Sequence, residues 1–321
     1  MPDYYLAAAI VIVSLFIYAI LFSIECGATL FIFAPKLAGK EADNLIRRYI
    51  NPAWETTNVF LIFALLWLIA FFPGATPVWG RALIIPFLIF LIAMGVRSVG
   101  MLYIFYKEGE SRAMKLLLLI ASLAAPMALA GGVFPFFILG NIPYTIPTLL
   151  LALCFAGMAF LTTLFISSSF FDYLAARNKY DTRGTLTRFA RSAMIAFIAG
   201  AFLLLYALRN IAPRIAMGMQ ECIPLITTLA ILNLLFKFFV ARRYHATHFM
   251  LAIALFGVLF SSVIFSQLPY IIYPTVTIFS SFTDLASANI MLSASGIAAL
   301  VIIPSLGLLY ALVISKKTPS R

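Results

Sequence analysis

Long apolar runs, punctuated by short polar or Pro- and Gly-containing breaks, dominate this chain. Nine runs have spanning length, near residues 5–34, 53–72, 80–106, 113–139, 145–175, 188–209, 213–240, 247–267 and 287–315. About 20 apolar residues, at about 1.5 Å per residue, cross a hydrocarbon layer. Each run therefore predicts a transmembrane helix, because lipid offers the backbone no other hydrogen-bond partner. The breaks fall at Pro35-Lys36, Phe72-Pro73-Gly74, Lys107-Glu108-Gly109-Glu110 and Gly140-Asn141-Ile142-Pro143. The shortest break is Ala212-Pro213, between the runs 188–209 and 213–240. The chain opens Met1-Pro2-Asp3-Tyr4 without Lys or Arg, and its first run outlasts the apolar part of a signal peptide. That run reads as a retained, tilted helix.

Composition agrees with the pattern. Hydrophobic residues make up 64% of the 321 positions and charged residues 10%, against about 45–50% and about 25% in soluble domains. This excludes a soluble enzyme, a secreted disulfide scaffold and a nucleic-acid-binding domain. The net charge of +11 is explained by topology. With the N-terminus outside, 18 of the 22 Lys and Arg residues fall in inner loops, while Arg81, Arg209 and Arg214 fall outside and Arg97 lies within a span. The positive-inside rule thus predicts nine spans, N-out and C-in, with a cationic collar facing anionic lipid. The loops leave no room for a soluble catalytic domain. Cys26, Cys154 and Cys222 lie far apart in apolar runs and read as small buried hydrophobes.

Ionisable groups inside spans carry the candidate chemistry, since each costs about 2.5–3.5 kcal/mol at the bilayer centre on insertion scales. Four stand out: Glu25, Glu55, Arg97 and Glu221. The topology puts Glu25, Glu55 and Arg97 at one depth, in the cytoplasmic third of three successive helices. Ser14, Tyr18, Glu25 and Thr29 share one helical face, and Asn58 lies one turn from Glu55. Two readings stand side by side and are compatible. One is a structural ion-pair cluster in which Arg97 pins the three helices together. The other is a protonatable relay open to the cytoplasm.

The remaining polar residues read more plainly. Glu221 and Arg214 suggest an ion pair or cap near the outer side. Asp172, with Arg177 five residues on, reads as interface chemistry. His245 and His248 stand at the cytoplasmic start of the run 247–267, beside Arg242 and Arg243, and read as loop polarity. With no His deeper in a predicted span, Met94, Met101, Met127 and Met158 read as packing residues, and no haem or metal is expected in this chain. Gly131-Gly132 reads as close helix packing.

Several short segments resemble subunit II of the cytochrome bd-type quinol oxidases. That family opens its second helix with Trp-Asp-Gly-Asn-Gln-Val-Trp; here the segment is Trp54-Glu55-Thr56-Thr57-Asn58-Val59-Phe60. Its Arg-Pro-Val-Gly-Phe is similar to Arg97-Ser98-Val99-Gly100-Met101, and its Asp-Gly-Phe-Asp-x-Gly to Glu25-Cys26-Gly27-Ala28-Thr29. Tyr273-Pro274 and Thr275-Val276-Thr277-Ile278-Phe279 are similar to its last outer loop. The second acid of helix one is replaced here by Thr29.

The resemblance implies two four-helix bundles, over 1–144 and 145–268, then an outer loop and a peripheral final helix over 269–321. It implies a bacterial or archaeal cytoplasmic membrane and a haem-bearing subunit I that oxidises quinol, with a small accessory subunit as a further partner. This chain would support subunit I, contribute a cytoplasm-facing proton path and, as in some relatives, hold a structural quinone. Two other functions compete: a secondary transporter of a small solute or proton, and a membrane anchor of another redox complex. The polar groups lie off the midplane, unlike a transporter's central site, and haem spectra of the native complex separate all three.

Overall fold

The computed structural model describes residues 3–37, 40–106, 111–140, 145–177, 185–240 and 245–315. Helix α1 (Asp3–Phe33) is followed by α2 (Lys40–Phe71), a short α3 (Thr76–Ala82), α4 (Ile84–Tyr106) and α5 (Arg112–Leu139). The second half holds α6 (Ile146–Arg177), α7 (Thr185–Ile211), a short α8 (Pro213–Gln220), α9 (Ile223–Leu235) and α10 (His245–Gln267). A hairpin of β1 (Tyr270–Ile272) and β2 (Val276–Thr277) leads into α11 (Leu285–Ser315). Among the described residues, seven helices are long and apolar enough to cross a membrane, and nine if each of two sharply bent pairs counts as one span. The all-α membrane architecture follows from the apolar runs as expected.

Helices α1, α2, α4 and α5 pack together, as do α6, α7, the α8–α9 pair and α10. The two groups meet where α6 lies against α1 and α5, while α11 rests outside, mainly on α2. The seam between the groups depends on small residues. A Cβ on Gly27 would run into the Ser167 side chain and come 2.8 Å from the Thr163 carbonyl. Gly131 likewise abuts the Ala152 carbonyl of α6, and Gly132 abuts Pro86 of α4, which makes the Gly pair a packing device. We expect Gly27→Ala to push α1 off α6 and cost about 1–3 kcal/mol. A lowered thermal midpoint of the purified complex is the expected reading; an unchanged midpoint would mean that the seam has slack.

Several boundaries differ from the sequence expectation. The segment 40–52, expected as an inner loop, is helical, because α2 begins at Lys40. The Lys, Glu, Ala and Arg residues there favour helix even where the apolar pattern is missing. The run 80–106 is broken at Leu83, between α3 and α4, and the segment 73–82 turns by 94° from the second span. The run 213–240 bends by 68° between α8 and α9. Each bend is followed by a Pro in the first turn of the next segment, Pro73 and Pro224, and Pro is well tolerated there because its missing N–H would be unpaired anyway.

The loop between α10 and α11 is ordered over the first bundle. Tyr270 pairs with Thr277 and Ile272 with Val276, and Ile272, Val276 and Ile278 pack on Ala7, Phe71 and Phe72. The Tyr273 amide donates to the Phe137 carbonyl at 3.1 Å and the Thr283 amide to the Phe71 carbonyl at 3.0 Å. Gly140 ends α5 at φ +64°, where the Tyr273 carbonyl leaves no room for a Cβ. The left-handed conformation and the close approach both call for glycine there.

Candidate functional site

The polar stripe of α1 faces the protein interior. Ser14, Tyr18, Glu25 and Thr29 are all buried, as an i, i+4, i+7 progression on one helical face requires. The hydroxyls of Ser14 and Thr29 are satisfied locally. Ser14 donates to the Ile10 carbonyl at 2.8 Å and Thr29 to the Cys26 carbonyl at 2.6 Å.

Arg97 of α4 meets Glu25 directly. Its Nη2 lies 2.5 Å from Glu25 Oε1, with the two side chains 0% and 1% exposed. The contact is an ion pair at hydrogen-bond distance, which leaves Glu25 Oε2 and the Arg97 Nε and Nη1 without a protein partner. Tyr18 lies close enough to feel both charges, and its hydroxyl is also buried without a partner. Two charges in a low dielectric attract strongly, but each also needs its remaining lone pairs or protons satisfied. This pocket therefore suits water between Glu25, Arg97 and Tyr18. Cys26 is buried beside the pair as a free thiol.

The other residues singled out from the sequence lie on α2 and α4. Asn58 sits on α2, half-buried, beside the buried Thr57. Glu55 and Trp54 belong to the same helix, but their side chains lie outside the described residues. Gly100, one turn along α4 from Arg97, faces α5, where a Cβ would come 3.3 Å from Leu118.

A cavity of about 680 Å³ adjoins the cluster. It runs through the first bundle toward the hairpin and is lined almost wholly by apolar side chains, with Tyr18 and Ser23 at one end and Trp79 and Gln267 at the other. The Trp79 Nε1–H is buried without a partner. Gln267 is held in place, since its amide donates to the Phe137 carbonyl at 2.6 Å and its oxygen accepts from Arg214 at 2.8 Å.

Three sequence expectations need correction here. Arg214 does not pair with Glu221. It bonds Gln267 and stacks over Tyr273, 4.2 Å from the ring centroid, while Glu221 is exposed at the α8–α9 bend. Neutral amide and aromatic partners reach Arg214 because the loop folds back over α8. Asp172 is not an interface residue. It is 1% exposed and binds Lys237 Nζ at 2.7 Å, the Thr187 hydroxyl at 2.8 Å and His245 Nδ1 at 3.0 Å. His245 and His248 are thus not loop polarity: α10 starts at His245, and His248 is fully buried, as is Lys237. One signal was available, because Lys237 stands in Leu234-Leu235-Phe236-Lys237-Phe238-Phe239-Val240. A cation amid such apolar neighbours calls for a buried counter-ion, as Arg97 did.

The comparisons agree with this architecture. A family model described as "Cytochrome bd terminal oxidase subunit II" matches residues 3–313. A Bacillus subtilis (strain 168) protein assigned as a cytochrome bd menaquinol oxidase subunit II is 28% identical over 94% of this chain and 93% of its own. A chain of the bd oxidase structure from Geobacillus thermodenitrificans superposes with a TM-score of 0.83, over 99% of this chain and 100% of that chain, at 23% identity. With a model match over nearly its whole length, the chain belongs to the cytochrome bd terminal oxidase subunit II family.

Proposed function

We propose that this chain is the haem-free subunit of a quinol:oxygen oxidoreductase, set N-out and C-in, that supports a haem-bearing subunit I and carries a proton path from the cytoplasm. The observation that carries the path is the buried Glu25–Arg97 pair with its unpartnered atoms and the adjacent Tyr18 hydroxyl. Oxygen reduction consumes protons that must come from the inner side. Glu25 can accept and release one, Arg97 is its counter-charge, and Tyr18 and enclosed water extend the route. Glu55 and Asn58 on α2 are the expected inner entry. The charge asymmetry of the loops supports the orientation, and membership of the family implies a partner subunit.

Haem does not fit the residues here. His245 is bound to Asp172, His248 lies in the same cluster, and no other histidine exists in the chain. A structural quinone does fit. The apolar cavity suits an isoprenoid tail, and Tyr18 or Trp79 could donate to a ring carbonyl, each offering a buried unpaired X–H. Such a quinone would fill space between the bundles and add packing.

The deciding experiment is turnover per assembled haem in Glu25→Gln. The relay predicts a fall of at least about tenfold with unchanged haem spectrum and complex yield. Glu25→Asp should retain partial activity. Activity that falls only in step with assembled complex would refute the relay and leave the pair as structural glue.

A further inference from the structure

The inner end of the second bundle repeats the acid–base plan of the first. In each half, an acid near the end of the first helix pairs with a cation in the third span: Glu25 of α1 with Arg97 of α4, and Asp172 of α6 with Lys237 just after α9. In each half a short helix opened by Pro precedes that third span. The second pair is more fully bonded than the first, since Thr187 of α7 and His245 of α10 also reach Asp172.

Behind this triad lies a second polar layer. Ser169 is three residues before Asp172 on α6, Asn233 four before Lys237, and His248 three after His245 on α10. These spacings put each on the same helical face as its neighbour, one turn deeper. All three are 0% exposed. Each holds a polar atom without a partner: Ser169 Oγ, Asn233 Oδ1, and both nitrogens of His248. Asn233 ties the layer together, because its amide donates to the Leu251 carbonyl, one turn beyond His248, at 3.0 Å. Unsatisfied buried polar groups are rare, and three on one level of three packed helices suit bound water.

We propose that this end of the second bundle is a second protonatable, water-accessible site, with His245 as its entrance and the Ser169–Asn233–His248 layer as its floor. The His245 side chain is 15% exposed, whereas Asp172 is 1% exposed. A carboxylate only accepts, so the His245 Nδ1 facing Asp172 carries a hydrogen in either state. His245 Nε2 is then the atom that takes a proton. An N–H bond forms there as an O–H bond of hydronium breaks, water leaves, and Asp172 holds the imidazolium charge. Lys237, Asp172 and His245 act on the His248 imidazole, and Arg191 of α7 acts in turn on Lys237. The identity of the supplying compartment rests on the N-out reading above; the site itself does not.

Exchange of the imidazole C2 hydrogen, followed by mass spectrometry on the intact complex between pH 5.5 and 8.5, tests this. It reports protonation and water access at each histidine. His245 should follow a sigmoidal rate curve, and His248 should exchange measurably but more slowly. Asn233→Leu should slow His248 several-fold and leave the His245 curve in place. Asp172→Asn should weaken proton binding at His245 by about tenfold. Thr187→Val removes a competing donor from Asp172 and should strengthen it, an opposite shift that general misfolding does not give. Glu25→Gln should leave both curves unchanged, so failure of the relay and failure of this site are distinguishable. A flat His245 curve, or a His248 that shows no exchange over days, would overturn the proposal.

Discussion

Arg97→Leu is expected to lose about 3–5 kcal/mol, the usual loss when one partner of a buried ion pair is removed. Leucine fills the space but leaves the Glu25 carboxylate, 1% exposed, without its counter-ion in a low dielectric. The group must then take up a proton or draw in water, and both pull on the packing of α1 against α4. The expected reading is a low yield of assembled complex and a lowered thermal midpoint. Arg97→Leu with Glu25→Leu should regain much of the loss, because an apolar pair of similar volume has no charge to desolvate. Normal assembly and turnover of the single variant would mean that the pair contributes nothing.

Lys237→Leu should be the next most damaging change. It removes a cation that is 0% exposed from a carboxylate that is 1% exposed, and the loss should approach about 3 kcal/mol. Thr187 and His245 still reach Asp172, at 2.8 Å and 3.0 Å, so the variant should assemble with a lowered thermal midpoint. An unchanged midpoint would show that the Lys237–Asp172 pair adds nothing to stability.

The two clusters differ in how far they could be read from the chain. Glu25 and Arg97 stand alone inside long apolar runs, so their cost in lipid marks them, and helix direction puts them at one depth. That two groups share a depth does not make them touch; the packing of α1 and α4 on α5 does that. Asp172, Lys237 and the two histidines sit near predicted span ends, where snorkelling to the interface is a sufficient explanation. Their burial depends on α10 beginning at His245 and on four helices converging at one end. No local pattern encodes that convergence.

By itself the sequence determined the solvent of this protein, its helical character, the approximate spans and the charged candidates Glu25, Glu55 and Arg97. Those follow from local quantities: apolar run length, the backbone's need for internal hydrogen bonds, and the cost of charge in hydrocarbon. The tertiary structure alone decided which charges meet, where Arg214 points, that the loop after α10 folds as a hairpin over α2 and α5, and that a large apolar cavity lies between Tyr18 and Trp79. These depend on contacts between residues far apart in sequence, down to a few ångströms of helix separation and rotation. Hydrophobicity along the chain contains no term for that, because lipid-facing and bundle-facing positions are equally apolar.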